Sequence, residues 1–214
     1  METKLTEQES LAIINEMIDR ARNNVQKGVT NNMIYNGYAV AFIAILNFIL
    51  LHLLPEAYIN WSYSVWWLMI PSMVIDSFLK KRIDNSKIVR TQIDSIITTL
   101  WEGYVISVIV LLIIIFSMTF IYDTWHFSAM ITPITIVMTA LIEFGMAKAC
   151  RFKPFLWGAI VFWTGALLCC LFTYIILRRP DIQFLILAVC MILGFVIPGH
   201  QLNKLAKKDD IQGT

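Results

Sequence analysis

Long apolar runs alternate with short polar segments along this chain. Six of the runs approach the length of roughly 20 residues that an α-helix needs to cross the hydrocarbon of a bilayer: 34–54, 61–79, 100–122, 128–147, 154–177 and 181–199. Because the connections within successive pairs are short, neighbouring helices should run antiparallel. The pattern predicts an all-α polytopic membrane protein with six transmembrane helices in three antiparallel hairpins. Pro198-Gly199 is expected to end the last helix.

Composition agrees with a membrane protein and argues against a soluble domain. Of the 214 residues, 58% are hydrophobic and 15% are charged, and a soluble fold of this size could not cover so much apolar surface. The lipid bilayer is therefore the principal expected partner. The sequence has no basic arm with interleaved aromatic residues, so nucleic acid is not an expected partner.

The basic residues predict the orientation of the helices. Of the 17 Lys and Arg residues, 15 lie in four segments, and only Arg178 and Arg179 fall elsewhere. The four segments are the N-terminal residues 1–33, the two connections after spans two and four, and the tail 200–214. Since cytoplasmic loops retain Lys and Arg, these segments and both termini should lie in the cytoplasm, on either side of a membrane domain that covers 34–199.

Two series of residues predict a threefold internal repeat. The odd-numbered spans open with an aromatic residue close to a glycine: Gly37, Gly103 and Gly158. The even-numbered spans place an ionisable residue shortly before a basic stretch: Asp76, Glu143 and His200. Similar spacings along both series favour three related hairpins, and the glycines are expected to allow close helix packing.

Residues 6–27 carry the pattern of an amphipathic helix. Thr6 and Glu9 fit a capping box, and Gly28 closes the helix. One apolar stripe runs along it at helical spacing: Leu11, Ile14, Ile18, Ala21 and Val25. This stripe must be buried against the bundle, the lipid interface or another chain. The mixed charges of its polar face favour docking on protein, either a partner protein or a second copy.

A first candidate site combines ionisable residues near the inner ends of the spans: Asp76, Glu102, Glu143 and His200. Two interpretations remain open. If the hairpins pack around a threefold axis, these side chains converge and would bind a divalent metal, zinc or manganese rather than calcium, or relay protons. In the alternative, each acidic side chain stays at the interface beside a nearby Lys. The interfacial interpretation requires no cofactor, and none is the main expectation.

A second candidate site lies deeper in the membrane. Asn47 belongs to the first span, and three threonines share one face of the fourth: Thr132, Thr135 and Thr139. Their hydroxyls either bond their own backbone or a neighbouring helix, or they line a path for a transported substrate. The sequence contains no HExxH, GxSxG, Walker A or Gly-rich dinucleotide motif, so no catalytic residue is predicted.

Both ends of the chain carry short distinctive motifs. The first is Leu5-Thr6-Glu7-Gln8-Glu9-Ser10-Leu11 with Ile14-Asn15-Glu16-Met17-Ile18, and the second is Ile197-Pro198-Gly199-His200-Gln201-Leu202-Asn203-Lys204. Together they resemble a family of six-span bacterial integral membrane proteins with an N-terminal amphipathic helix. Span one departs from the family pattern, with Asn36 where a Trp would stand. That family has no assigned activity, so the resemblance implies only the topology and a bacterial cytoplasmic membrane.

Two hypotheses about function follow. The first is a non-enzymatic multi-pass membrane protein of regulatory or scaffolding type, which acts through its cytoplasmic helix and bundle face, because the apolar stripe needs a partner. The second is a small transporter or channel that uses the polar residues of spans one and four.

Overall fold

The computed structural model describes residue 31 and residues 33–83, 92–150, 152–176 and 179–212, and these residues are helical without strands. Five described helices are long and apolar enough to cross a membrane: Met33–Leu53, Ser95–Tyr122, His126–Ala149, Lys153–Thr173 and Ile182–Lys204. They match predicted spans one, three, four, five and six. The predicted N-terminal helix and its apolar stripe lie outside the described residues.

The helices follow one another in this order: α1 (Met33–Leu53), a 3-10 helix (Glu56–Leu68), α2 (Met69–Ile83), α3 (Gln92–Tyr122), α4 (Trp125–Ala129), α5 (Ile131–Cys150), α6 (Lys153–Cys170), α7 (Ile182–Cys190) and α8 (Ile197–Gln212). A π-helical turn, Leu171–Ile176, extends α6, and a second, Met191–Val196, joins α7 to α8. α7 and α8 therefore form one continuous helix, called the last helix below.

Predicted span two differs from the other spans in its backbone. Its first part belongs to the 3-10 helix Glu56–Leu68, and only its second part, from Met69, is α-helical. The 3-10 segment is rich in bulky aromatic and β-branched residues, which lose side-chain freedom in an α-helix. The hydroxyls of Ser62 and Ser64 also donate to the carbonyls of Ile59 and Trp61, at 2.7 and 2.6 Å. These bonds to carbonyls three residues earlier suit the tighter 3-10 turn.

The prediction that Pro198-Gly199 ends the last helix is wrong, because the helix continues to Gln212. The reason lies in the π-helical turn that precedes the proline. There the N–H of Ile197 donates to the carbonyl of Ile192, five residues earlier. Such a change in hydrogen-bond register is one of the ways in which a helix accommodates a proline without ending.

The last helix lies at the centre of the bundle. Across its apolar stretch, 61% of the residues are buried, against 6% in α3. α1 runs antiparallel to it, since Gly37 near the start of α1 faces Val196 and His52 near its end contacts Arg179. Aromatic contacts add the other elements: Trp66 packs on Phe184, Trp101 on Phe195, and Phe162 on Phe195. α3 lies at the periphery and exposes most of its apolar surface.

Glycines allow α6 and the last helix to approach closely. A Cβ atom on Gly158 would lie 2.5 Å from the carbonyl oxygen of Gly194, and one on Gly194 would lie 2.5 Å from the ring of Phe162. Gly37 is similarly close to the last helix, since its Cβ would lie 2.8 Å from Val196. Gly103 was predicted to mark a close contact as well, but no described atom lies within 4 Å of its Cβ position. Gly103 faces outward because α3 is peripheral.

We expect Gly158→Ala to destabilise the bundle and Gly103→Ala to leave it intact. The new methyl at position 158 meets backbone rather than a flexible side chain, and overpacking of this kind costs about 1–3 kcal/mol. At position 103 there is open space, so only the gain in helix propensity of up to about 1 kcal/mol remains. Thermal unfolding midpoints of the two purified variants in one detergent test this. Equal midpoints would show that the glycine contact does not limit stability.

Candidate functional site

A buried polar stripe runs along one face of α5. Thr132, Thr139 and Glu143 are spaced by seven and four residues, which places them on one side of an α-helix, and all three are buried. The apolar residues of the same face, Ile136 and Ala140, are buried as well. The face of α5 that points into the bundle is therefore partly polar, and Glu143 is its innermost polar member.

The hydroxyls of Thr135 and Thr139 are satisfied locally. Thr135 donates to the carbonyl of Thr132 at 2.9 Å, and Thr139 lies 2.8 Å from the carbonyl of Thr135. The hydroxyl of Thr139 also lies 3.3 Å from the hydroxyl of Tyr104 on α3. These contacts agree with one of the two interpretations of the threonines in span four, in which their hydroxyls bond the backbone or a neighbouring helix. Asn47, the remaining member of the predicted path, is fully buried on α1.

Glu143 has no such partner. Its side chain is 0% exposed, and neither carboxylate oxygen has a hydrogen-bond partner among the described residues. At a rise of about 1.5 Å per residue, it lies about 10 Å from the C-terminal end of α5. The interfacial interpretation placed Glu143 beside Lys148. The ammonium of Lys148 instead lies over the Phe144 ring, 5.4 Å from its centroid. Glu143 itself is enclosed in protein.

Gly158 makes the space that holds the carboxyl group of Glu143. Its Oε2 lies 2.9 Å from the position that a Cβ of Gly158 would occupy, and the carbonyl oxygen of Gly194 lies 2.5 Å from the same point. The carboxylate and this carbonyl therefore both lie against the bare backbone of Gly158. Pro198 stands four residues after Gly194 and has no N–H, so the α-helical donor to the Gly194 carbonyl is missing.

The other members of the first candidate site have different surroundings. Glu102 is exposed, and the exposed ring of His200 has its Nε2 3.3 Å from the hydroxyl of Tyr38. The side chain of Asp76 lies outside the described portion of α2. Within the residues described, no group of three or more His, Cys, Asp or Glu side chains comes close enough to hold a metal ion. A metal site that includes Asp76 therefore stays a prediction from sequence.

A second polar cluster lies at the opposite end of the bundle. Arg179 donates to both carboxylate oxygens of Asp181, at 3.2 and 2.7 Å, a geometry that gives strong, charge-assisted hydrogen bonds. Its Nη2 is also 2.9 Å from His52 Nε2, while His52 Nδ1 is 2.8 Å from the carbonyl of Phe48. The hydrogen bonds and charge of Asp181 raise the pKa of the Arg179 guanidinium above its ordinary value. Arg179, an exception to the basic-residue pattern, is therefore held by a local acidic partner.

Sequence reasoning missed two further buried polar groups. Thr173 Oγ1 and Gln183 Oε1 are buried without a hydrogen-bond partner among the described residues. Thr173 lies in the π-helical turn that extends α6, and Gln183 lies in the first turn of α7. A search for polar residues inside apolar runs would have found both. The same search cannot find the Gly194 carbonyl, whose only sequence signal is a proline four residues later.

Searches of protein-family models, curated proteins and solved structures gave no match for this chain. The resemblance to the family of bacterial six-span proteins therefore stays a prediction from sequence motifs.

We expect Glu143→Met to keep or raise the thermal stability of the protein. A buried polar group without a partner costs about 1–3 kcal/mol, and an apolar side chain of similar size removes that cost. Thr139→Val is the matched comparison, because Thr139 is buried with its hydrogen bond made, and its loss should cost about 0.5–1.5 kcal/mol. Unfolding midpoints in detergent report both effects. If Glu143→Met were the more damaging change, Glu143 would contribute more to the stability of the fold than the hydrogen bond of Thr139 does, and the net cost assigned to its burial would be wrong.

Proposed function

We propose that this protein is a small multi-pass membrane transporter. In it, Glu143 binds either the charged species that is transported or the ion whose movement drives transport. The single observation behind this is a fully buried carboxyl group with no partner among the described residues, in a helix long and apolar enough to cross a membrane. Ionisable groups at such depth are costly, and they are mostly retained where a protein moves ions or protons.

Other buried polar residues of the bundle support the same function. The buried stripe of α5 leads from Thr132 to Glu143, and Thr173 and Gln183 add unpartnered polar atoms between α6 and the last helix. Both π-helical turns lie in these two helices, and π-helical turns occur frequently at functional sites. Together these groups offer successive polar positions along a bundle that is otherwise apolar.

The proposal includes the finer topology predicted from sequence. It takes the 3-10 helix with α2 as the remaining span, which gives six spans in three hairpins, and it places both termini in the cytoplasm of a bacterial cell, with the protein in the inner membrane. The clustered Lys and Arg residues support this orientation. In it, Glu143 and His200 are near the cytoplasmic side, and the Arg179–Asp181 pair lies outside. The threefold repeat remains within the proposal as well, on the basis of spacing alone.

The transport proposal predicts that Glu143→Gln abolishes charge movement. Purified protein reconstituted in liposomes should carry a current or a pH change under an imposed gradient, and the neutral amide should remove it because no charge can bind. Asp123→Asn is the matched control: it makes the same carboxylate-to-amide change on an exposed residue in the turn between α3 and α4. Equal flux through the wild type, both variants and empty liposomes would contradict the proposal.

A regulatory or scaffolding role is the second candidate, and one feature of the structure favours it. Nearly all of the apolar surface of α3 is exposed, with Ile106, Ile113 and Phe120 among its outward side chains. A face of this kind contacts either lipid or another membrane protein. Combined with the apolar stripe of residues 6–27, it would give the protein two surfaces for a partner or a second copy.

This second candidate predicts that the stripe of the N-terminal helix is needed for association. Ile14→Asp combined with Ile18→Asp should abolish co-purification of a partner or of a differently tagged second copy, because charge cannot be buried in an apolar interface. Glu16→Gln with Asp19→Asn changes the polar residues of the same segment and should have little effect. Unchanged association and stability in the Ile14/Ile18 variant would remove the support for this role.

A further inference from the structure

We propose that Glu143 and the main-chain carbonyl of Gly194 form a proton-binding site inside the bundle. This inference rests on the proposed transport function and names its ligand. In the loaded state the carboxyl group is neutral, and its O–H donates to the carbonyl oxygen of Gly194 across the backbone of Gly158. In the unloaded state the carboxylate has released that proton to water. One O–H bond forms on loading and the same bond breaks on release.

The enclosed position of Glu143 requires a compensating positive charge. An ionised carboxylate inside protein is destabilised by several kcal/mol unless a counter-charge accompanies it. The described titratable groups on α5 and on the helices packed around it include Glu102, Tyr104, Lys148, Lys153, Cys169, Cys170, Cys190, His200 and Lys204. No described residue makes a hydrogen bond with either carboxylate oxygen of Glu143. Within the part of the chain that the structure describes, a bound proton or metal cation is therefore the available source of the compensating charge.

The set of oxygen atoms at the site favours the proton. The Gly194 carbonyl oxygen and the backbone of Gly158 lie beside the carboxylate, and the described residues include no group of three or more His, Cys, Asp or Glu side chains that could hold a metal ion. Calcium takes six to eight oxygen ligands, magnesium needs near-octahedral coordination, and zinc prefers nitrogen and sulfur. A proton needs only one acceptor in line with the carboxyl oxygen that carries it. The Gly194 carbonyl provides one, because it faces the same point as Oε2.

Pro198 removes the usual hydrogen-bond donor to the Gly194 carbonyl. In an uninterrupted α-helix, the N–H four residues later would donate to the Gly194 oxygen, but proline has no N–H. The Gly194 oxygen therefore lacks its α-helical donor. The glycine at position 158 is equally necessary, since a Cβ there would lie 2.5 Å from the Gly194 oxygen and 2.9 Å from Oε2 of Glu143. The site thus depends on three helices: α5 supplies the carboxyl group, the last helix supplies the acceptor, and α6 supplies the gap.

The test uses dicyclohexylcarbodiimide, an apolar reagent that reacts with protonated carboxyl groups. The acid adds across a C=N bond of the reagent, and the adduct rearranges to a stable N-acylurea without a leaving group. Full-length protein in lipid vesicles is treated at a series of pH values, and the modified peptides are quantified by mass spectrometry. We expect an adduct on Glu143 whose yield falls as the pH rises. Asp123→Asn should label normally at Glu143, and Glu143→Gln should lose this adduct.

Pro198→Ala provides a sharper test of the carbonyl. Alanine favours the helix and restores an N–H that competes for the Gly194 oxygen, so the proton affinity of Glu143 should fall about 2- to 12-fold, the equivalent of one hydrogen bond of about 0.5–1.5 kcal/mol. The labelling curve then moves to lower pH. Pro154→Ala is the matched control, because Pro154 lies in the first turn of α6, where a helix offers its N–H no acceptor. The Pro154 variant should leave the curve in place.

Several outcomes would overturn the proposal. Three of them concern the labelling itself: no adduct on Glu143, an adduct yield that does not depend on pH, or equal labelling curves for the two proline variants. A fourth is protection of Glu143 from labelling by sodium, calcium or zinc ions at constant pH, since that result would indicate a metal site. The wild-type pH profile needs no variant, so a variant that fails to fold does not affect the result. Normal labelling without any flux would keep the proton site and remove the transport function. Flux that requires Glu143, without pH-dependent labelling of Glu143, would keep the transport function and remove the proton site.

Discussion

The close approach of α6 and the last helix is the contact on which the rest of the bundle depends. Gly158 and Gly194 bring the two backbones together, and Phe162 packs against Phe195 beside them with ring centroids 5.5 Å apart. α1, the 3-10 helix and α3 then contact the last helix through Gly37, Trp66 and Trp101. Lipid offers no hydrophobic force between helices, so small residues that permit such contacts largely determine which helices pair. Here the same contact also encloses Glu143.

The helices themselves could be predicted closely from sequence, because their length is fixed by the bilayer and their apolar character by its hydrocarbon. Predicted span 34–54 corresponds to Met33–Leu53, and 100–122 ends at Tyr122 as predicted. The departures occur where local hydrogen bonding overrides hydropathy. The 3-10 helix is supported by Ser62 and Ser64, and the helix continues through Pro198 because a π-helical turn precedes it. Neither effect changes the apolar pattern that identifies a span.

The candidate site was only partly predictable, because burial depends on which helices become central. Gly37, Gly103 and Gly158 share one sequence context, yet only the first and third face the last helix. In the same way Glu102 and Glu143 are both acidic residues near the ends of apolar helices, and of the two only Glu143 is enclosed. Residue type and spacing therefore identify residues of the same kind. They could not distinguish a peripheral helix from a packed one, nor reveal a backbone carbonyl as a partner.

A comparison of the two acidic residues Asp181 and Glu143 makes the case for function. Asp181 lies at the start of α7 and is held by Arg179, with His52 3.4 Å away. Glu143 has Lys148 five residues away on its own helix, but that ammonium lies over the Phe144 ring instead. A carboxyl group kept for stability would be paired, because an unpaired buried charge is strongly destabilising. A carboxyl group that must bind and release a proton cannot have a permanent cationic partner, since that partner would hold it in the ionised form.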